Sequence, residues 1–254
     1  MKSFVRWAAV LGIVTSSWIG PSLAGKMSAL ALPEQQVLEK LKGVPVFTIT
    51  DAQGSPLIAS VTGKDQKPAS VAGVFISHKD AQDFIVQLKS KNPQLGGSVR
   101  VWTASLGEVY KMSQLSKGKP QELQFAYVPT SKEVESAKTV LQQSGKKPNE
   151  FNGVPLFLAR GGPDNGYLTI QQGQEQAVPI FFNKEDLQAM LERFKQQQPN
   201  IASSIKIEVV NLEGVLEALR TDNDPFLTKI LLIPSRESME YVKSQQPPQV
   251  QPKP

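Results

Sequence analysis

Apolar and polar positions along residues 43–144 alternate between two periods. Gly43-Val44-Pro45-Val46-Phe47 opens a strand-like run that ends in the turn Asp51-Ala52-Gln53-Gly54, and Pro56 to Val61 reads as a second strand. Gly73-Val74-Phe75-Ile76 reads as a third; being apolar on both faces, it is expected at the centre of a covered sheet. Directly after it, Ala81, Phe84, Ile85 and Leu88 have the i, i+3, i+4, i+7 spacing that lines up four apolar side chains on one helical stripe. That helix is expected to stop at Asn92-Pro93, because proline cannot donate to the hydrogen-bond ladder and restricts the residue before it. A strand over Val99 to Thr103, a short helix carrying Leu106, Val109 and Tyr110, a strand over Phe125 to Pro129 and a helix carrying Val134 and Ala137 complete the series.

The series then recurs. Gly153-Val154-Pro155-Leu156-Phe157 repeats the opening run and ends in the turn Gly161-Gly162-Pro163-Asp164-Asn165-Gly166. Tyr167 to Gln171 and Pro179-Ile180-Phe181-Phe182 repeat the next two strands. Leu187, Met190, Leu191 and Phe194 stand 106 residues after the first helical stripe, and their helix stops at Gln198-Pro199. The offset holds for Ile205 to Val209 and for Leu212, Val215 and Leu216, then slips by one at Ile230 to Pro234 and at Met239 and Val242. The pattern therefore predicts an α+β fold built by internal duplication: two similar β-β-β-α-β-α-β-α halves, 43–144 and 152–244, around a pseudo-two-fold, with sheets covered by helices. Before the first half, 25–42 is expected to hold an amphipathic helix after Pro33, with Leu30, Val37, Leu38 and Leu41 on its apolar side. Residues 245–254 are rich in Pro and Gln and are expected to form an extended, unpacked tail.

The first 24 residues have a different pattern. Lys2 and Arg6 precede an apolar stretch from Trp7 to Ile19, and Pro21-Ser22-Leu23-Ala24 ends it with small residues, the order of a secretory signal peptide cleaved after Ala24. The stretch is shorter than the roughly 20 apolar residues a membrane span needs, and Ser16-Ser17 interrupts it. An exported protein soluble in the periplasm, between inner and outer membranes, is the expectation. Loss of Lys2 and Arg6 brings the formal charge from +5 to +3, too little to predict nucleic-acid binding.

Composition narrows the chemistry further. With 40% hydrophobic and 20% charged residues the chain is an ordinary core-forming one, yet it holds no Cys and a single His. A thiol nucleophile, a Cys/His zinc centre and any multi-histidine metal site are thereby excluded, and neither a metal nor a cofactor is expected. Ser77-His78-Lys79-Asp80 places that His between a Ser and an Asp, which invites a nucleophilic reading. Its repeat-mate Asn183-Lys184-Glu185-Asp186 keeps only what a helix cap needs: an oxygen at the first position and an acid near the positive helix end. His78 therefore reads as dispensable and Ser77 as a cap. Thr130 and Glu133 read as another capping box, and Glu133/Glu135, like Glu185/Asp186, as solvated helix faces. No catalytic residue is assigned, and the chain is not expected to be an enzyme.

The duplicated stretches Gly43-Val44-Pro45-Val46-Phe47-Thr48, Gly73-Val74-Phe75-Ile76-Ser77-His78-Lys79-Asp80-Ala81 and Val178-Pro179-Ile180-Phe181-Phe182-Asn183-Lys184-Glu185-Asp186-Leu187 resemble one family. It is the small intermembrane-space subunit family of the Tic translocon of the chloroplast inner envelope, with its cyanobacterial periplasmic branch. The resemblance covers Leu32 to Val242 and implies a non-enzymatic protein transport factor. In the cyanobacterial branch the implied task is chaperone-like escort of outer-membrane proteins. Chloroplast members carry transit peptides, whereas this chain opens with a bacterial-style signal, which favours the bacterial branch. The implied partners are unfolded or outer-membrane protein clients and an envelope translocon or barrel-assembly component, and peripheral membrane association is compatible with both. The alternative is a scaffold docked stably on such a component without binding clients itself.

One residue stands out as a polypeptide-binding candidate. Alternation puts Val99, Val101 and Thr103 on one face of their strand and Arg100 and Trp102 on the other. The repeat-mate strand carries Lys206 and Glu208 on that second face, so Trp102 occupies a position that is polar in the duplicate. Two readings follow: an exposed aromatic anchor, or a side chain packed under the N-terminal helix or the segment 62–70.

Overall fold

In the computed structural model of the chain, residues 13–14, 32–62, 68–119, 122–199, 203–222 and 224–245 are described. In chain order these form β1 (Ile13–Val14), α1 (Glu34–Leu41), β2 (Pro45–Thr50), β3 (Ile58–Thr62), β4 (Pro68–Phe75), α2 (His78–Lys91), α3 (Pro93–Ser98), β5 (Arg100–Ser105), α4 (Leu106–Ser116), β6 (Leu123–Val128) and α5 (Ser131–Gln143). The series continues with β7 (Pro155–Gly161), β8 (Gly166–Leu168), β9 (Ile170–Gln172), β10 (Glu175–Phe181), α6 (Lys184–Gln197), β11 (Lys206–Asn211), α7 (Leu212–Thr221), α8 (Phe226–Lys229), β12 (Ile230–Ile233) and α9 (Arg236–Gln245). The period-2 segments thus pair into two sheets and the period-3.6 segments form helices, an α+β fold. The expected signal peptide lies outside the described residues except for Ile13–Val14, and so does the tail beyond Gln245.

The five-stranded sheet has β4 inside it, as the doubly apolar run predicts. β4 pairs antiparallel with β2 and β3 and parallel with β6, and β5 lies on the far side of β2. In the seven-stranded sheet β7 pairs with β11, β10 and β8, and β10 also pairs with β9 and, in parallel, with β12. The single strand expected over Tyr167 to Gln171 is divided at Thr169: β8 stays on β7 while β9 crosses to β10. The first sheet makes the same move, with Pro56 bridged to Thr50 before β3 joins β4.

The compact units are cut differently from the sequence repeats. One comprises residues 38–132 with 234–254, the other 133–233 with the residues up to 37. Ala137 and Val140 of α5 join Phe157, Phe181, Leu187, Leu191 and Phe194 in the core of the second. Tyr241 of α9 packs with Phe47, Ile49, Phe75 and Ala81 in the first. α5 thus packs on the second sheet and α9 on the first, the reverse of what their places in the expected repeats suggest. An apolar stripe records that a helix must be covered, not which sheet covers it, so periodicity could not assign these two helices.

The helix caps follow the sequence closely, with one correction. Ser77 Oγ accepts from Asp80 N at 3.3 Å and Asn183 Oδ1 from Asp186 N at 3.0 Å, each at the N-cap of its helix. Glu133, expected on a solvated face, is 5% exposed, and its carboxylate accepts from Asn183 Nδ2 at 2.9 Å and from Lys184 N at 3.0 Å. It serves the first turn of α6, a pairing across 51 residues that local spacing cannot reveal. Two short helices were also beyond the apolar pattern. Pro93 ends α2 but opens α3, where its fixed φ suits the first position and Asn92 Oδ1 accepts from Leu95 N at 3.1 Å. α8 begins directly after Pro225, which stands at its N-cap, and Asp224 Oδ1 accepts from Phe226 N at 2.8 Å.

Gly153 is a position where only glycine fits. Its φ is +90°, and an added Cβ would run into the Glu213 carboxylate, which accepts from Val154 N at 3.1 Å. Burial raises the Glu213 pKa, and the backbone hydrogen bonds from its own N–H and from Val154 oppose that shift. Gly153→Ala is expected to lower the unfolding free energy by about 1–3 kcal/mol through backbone strain. A shift of the urea midpoint at unchanged m-value would register it.

Candidate functional site

Strand alternation gives the first sheet two unlike faces. Phe47, Ile49 and Val101 point into the core with α2 and Tyr241, while Thr48, Thr50, Trp102 and Ala104 point the other way. On that second face Thr48 lies opposite Trp102 and Val74, and Thr50 opposite Arg100. Phe125 of β6, in register with Ala72, shares it. α4 covers this face only in part. Leu106, Val109 and Tyr110 are buried, yet Met112 and Leu115 further along the helix are 43% and 60% exposed.

The result is a groove of about 430 Å³ between the sheet and α4, lined by Thr48, Thr50, Pro56, Trp102, Val109, Met112, Leu115 and Phe125 among others. Its walls are apolar and its floor has a polar handle. Thr48 Oγ1 donates to Gly73 O at 3.0 Å, whereas the buried Thr50 Oγ1 has no hydrogen-bond partner among the described residues. At the rim the Arg100 guanidinium sits 5.7 Å from the Trp102 ring centroid and donates to Ala52 O, which steadies the indole. Trp102 is 48% exposed, so it is not a core residue. A contiguous apolar surface of this kind, with some 25 cal/mol gained per Å² removed from water, favours association with another apolar chain.

The matching face of the second sheet carries different side chains. Leu158, Arg160 and Glu208 stand where the first sheet has Thr48, Thr50 and Trp102, and Arg160 Nη1 lies 3.8 Å from Glu208 Oε1. Tyr167 covers the same guanidinium at 4.6 Å and stacks on Phe226 at 4.3 Å. Ala218 and Thr221 replace Met112 and Leu115 at the 106-residue offset. Trp102 was visible in sequence through its contrast with Glu208. Met112 and Leu115 carried the same signal and were missed, because they continue the stripe of Val109 and read as ordinary core.

The Ser77-His78 pair offers no catalytic geometry. Ser77 Oγ donates to Glu237 Oε1 at 3.2 Å while capping α2, and the His78 ring stacks on Tyr241 at 3.6 Å and meets Phe47 edge-on at 5.3 Å. Burial lowers the His78 pKa and Glu237 partly restores it; burial also raises that of Asp80, with Glu237 adding to it. His78 is therefore a packing residue. Ser77→Ala is expected to cost about 1–2 kcal/mol, because it removes the cap and leaves Glu237 without this donor. His78→Lys should melt lower than wild type yet still fold; both are read from thermal unfolding. Among the described residues no group of three His, Cys, Asp or Glu side chains could hold a metal ion, and no helix is long and apolar enough to cross a membrane.

Comparison with known proteins adds independent information. The sequence profile of the Tic22-like family matches residues 7–245. The chain is 26% identical over 212 residues to Protein TIC 22-like, chloroplastic, of Arabidopsis thaliana, a match covering 82% of this chain and 63% of that protein. It is 23% identical over 192 residues to Protein TIC 22, chloroplastic, of Pisum sativum, covering 75% of this chain and 69% of the relative. The chain thus spans somewhat under two thirds of the Arabidopsis relative's length. Among solved structures, Anabaena Tic22, a protein of protein transport, superposes with a TM-score of 0.74 at 36% identity, covering 85% of this chain and 99% of that one. Tic22 from Plasmodium falciparum shares the fold, with a TM-score of 0.63 at 22% identity over 82% of this chain and 96% of the other.

Proposed function

The chain belongs to the Tic22-like family, and we propose that it acts in protein transport by holding extended, apolar stretches of client polypeptide in the groove beside Trp102. The observation that carries this reading is the contrast between the two sheets. On equivalent faces of the two sheets, Arg160, Glu208 and Tyr167 hold one another on one, whereas the other exposes Trp102, Met112 and Leu115 over a Thr50 hydroxyl with no hydrogen-bond partner among the described residues. We read the sheets as products of an internal duplication in which one half kept an open face. Leaving large apolar side chains in water costs free energy that a purely structural protein would have been free to remove.

The site needs no nucleotide, metal or reaction, since apolar burial and a few backbone hydrogen bonds suffice to hold an unfolded segment. On this reading the protein works in the periplasm, delivered there by its N-terminal signal, and its clients are outer-membrane proteins on their way to barrel assembly. Its greater identity to Anabaena Tic22 (36%) than to the two plant relatives (26% and 23%) supports the bacterial branch. Co-purification from the cell envelope after rapid cross-linking tests it. Many substoichiometric outer-membrane proteins, lost in a Met112→Glu/Leu115→Glu variant, are the expected result. One stoichiometric partner, retained in that variant, would favour a scaffold and count against client binding.

A further inference from the structure

β5 lies at the edge of its sheet, paired only with β2, and its backbone parity can be read from the far side of β2. Ile49 O accepts from Leu57 N, so the backbone groups of Ile49 point away from β5. Thr48 and Thr50 therefore face β5 and bond to Trp102 and Arg100, which leaves the N–H and C=O groups of Val101 and Thr103 directed outward along the sheet edge. The edge ends at Ser105, whose N–H is taken by Glu108 Oε2 at 2.7 Å.

A cavity lies on each side of this edge. The groove of about 430 Å³ takes up the Trp102 side. A second cavity of about 260 Å³ is lined by Pro45, Thr103, Ser105, Met239 and Val242, and the two share Ala104 and Glu108. A strand laid against β5 would send alternate side chains to opposite faces: large apolar ones beside Trp102, smaller or polar ones beside Thr103. The charges on the groove side favour one kind of strand. Arg100 and Lys111 are exposed there with no ion pair to a carboxylate among the described residues, whereas Glu108 is engaged by Ser105.

We infer that β5 binds its client by strand addition, and that the occupant is an extended segment alternating large apolar with small or polar residues and flanked by carboxylates. Main-chain hydrogen bonds to Val101 and Thr103 fix the segment, the cavities read its alternate side chains, and Arg100 and Lys111 attract its acidic flank. This rests on the client-holding reading above and specifies its geometry.

The probe is a fluorescein-labelled peptide of alternating leucine and threonine with glutamates at both ends, titrated with the purified protein and followed by anisotropy. Two further peptides are N-methylated on alternate amides in opposite phases. Strand pairing predicts a loss of about tenfold or more for one phase and little for the other, because only one set of amides faces β5. Thr103→Pro, which removes an outward donor at a position where an edge strand tolerates proline, should weaken binding similarly, with Thr103→Val close to wild type. Replacing the glutamates by glutamines should weaken binding and remove most of its salt dependence. If both methylated peptides bind like the parent and Thr103→Pro is silent while Trp102→Glu still abolishes binding, strand addition is wrong and the groove stands. If Trp102→Glu is silent too, or the parent peptide does not bind, both readings fall. Self-association in sedimentation that Thr103→Pro abolishes would assign the edge to a second copy and overturn the inference.

Discussion

Glu133→Ala is expected to lower the unfolding free energy by about 2–3 kcal/mol, one of the two largest effects the structure implies. Glu133 is 5% exposed and each carboxylate oxygen is used, one by Asn183 Nδ2 and the other by Lys184 N. Lys184 begins α6, so its N–H is among the first-turn donors without an intrahelical acceptor, and a carboxylate there also meets the positive end of the helix. Truncation to alanine leaves that donor and the Asn183 amide partly buried and without this acceptor, and opens a small void. Glu133→Gln keeps one acceptor oxygen and should lie between the two. Chemical unfolding at neutral pH measures both. A loss below about 0.5 kcal/mol, the level of an ordinary surface substitution, would show that the pairing is not structural.

The other large effect concerns binding. Met112→Glu/Leu115→Glu is expected to reduce affinity for an unfolded, reduced protein client by about tenfold or more while the melting temperature stays near wild type. Both side chains are already largely in water, so charging them removes little packing from the folded state. In the complex, each carboxylate would be desolvated against apolar client surface in place of a favourable apolar contact, and at position 115 it would also compete for Lys111 with an acidic flank of the client. The pair Ala218→Glu/Thr221→Glu on the second sheet's helix is the matched control and should leave binding unchanged. Titration of labelled client with each variant separates the outcomes.

Much of the fold was legible because apolar periodicity reports which residues must leave water. The stripe Ala81, Phe84, Ile85 and Leu88 is α2, the doubly apolar run Gly73-Val74-Phe75 belongs to the internal strand β4, and the caps at Ser77 and Asn183 lie where their side-chain oxygens predicted. What periodicity does not encode is address. Nothing in the stripe of Ala137 and Val140 says that it covers β7, and nothing local to Glu133 says that it serves α6. The site was half legible for a related reason. Trp102 was found because Glu208 occupies its counterpart, a comparison internal to the chain. Met112 and Leu115 stay exposed because α4 covers its sheet face only in part, and the buried Thr50 Oγ1 has no hydrogen-bond partner among the described residues; both are properties of packing.

Client holding by the groove is tested most directly with Trp102→Glu. An outer-membrane barrel protein unfolded in urea is diluted into buffer with wild-type protein or with the variant, and light scattering follows its aggregation. Because Trp102 is 48% exposed, the variant should melt within a few degrees of wild type. The expected result is aggregation suppressed by the wild type and largely unsuppressed by the variant at equal concentration. Full suppression by a well-folded Trp102→Glu variant would contradict the assignment of this groove as the client site.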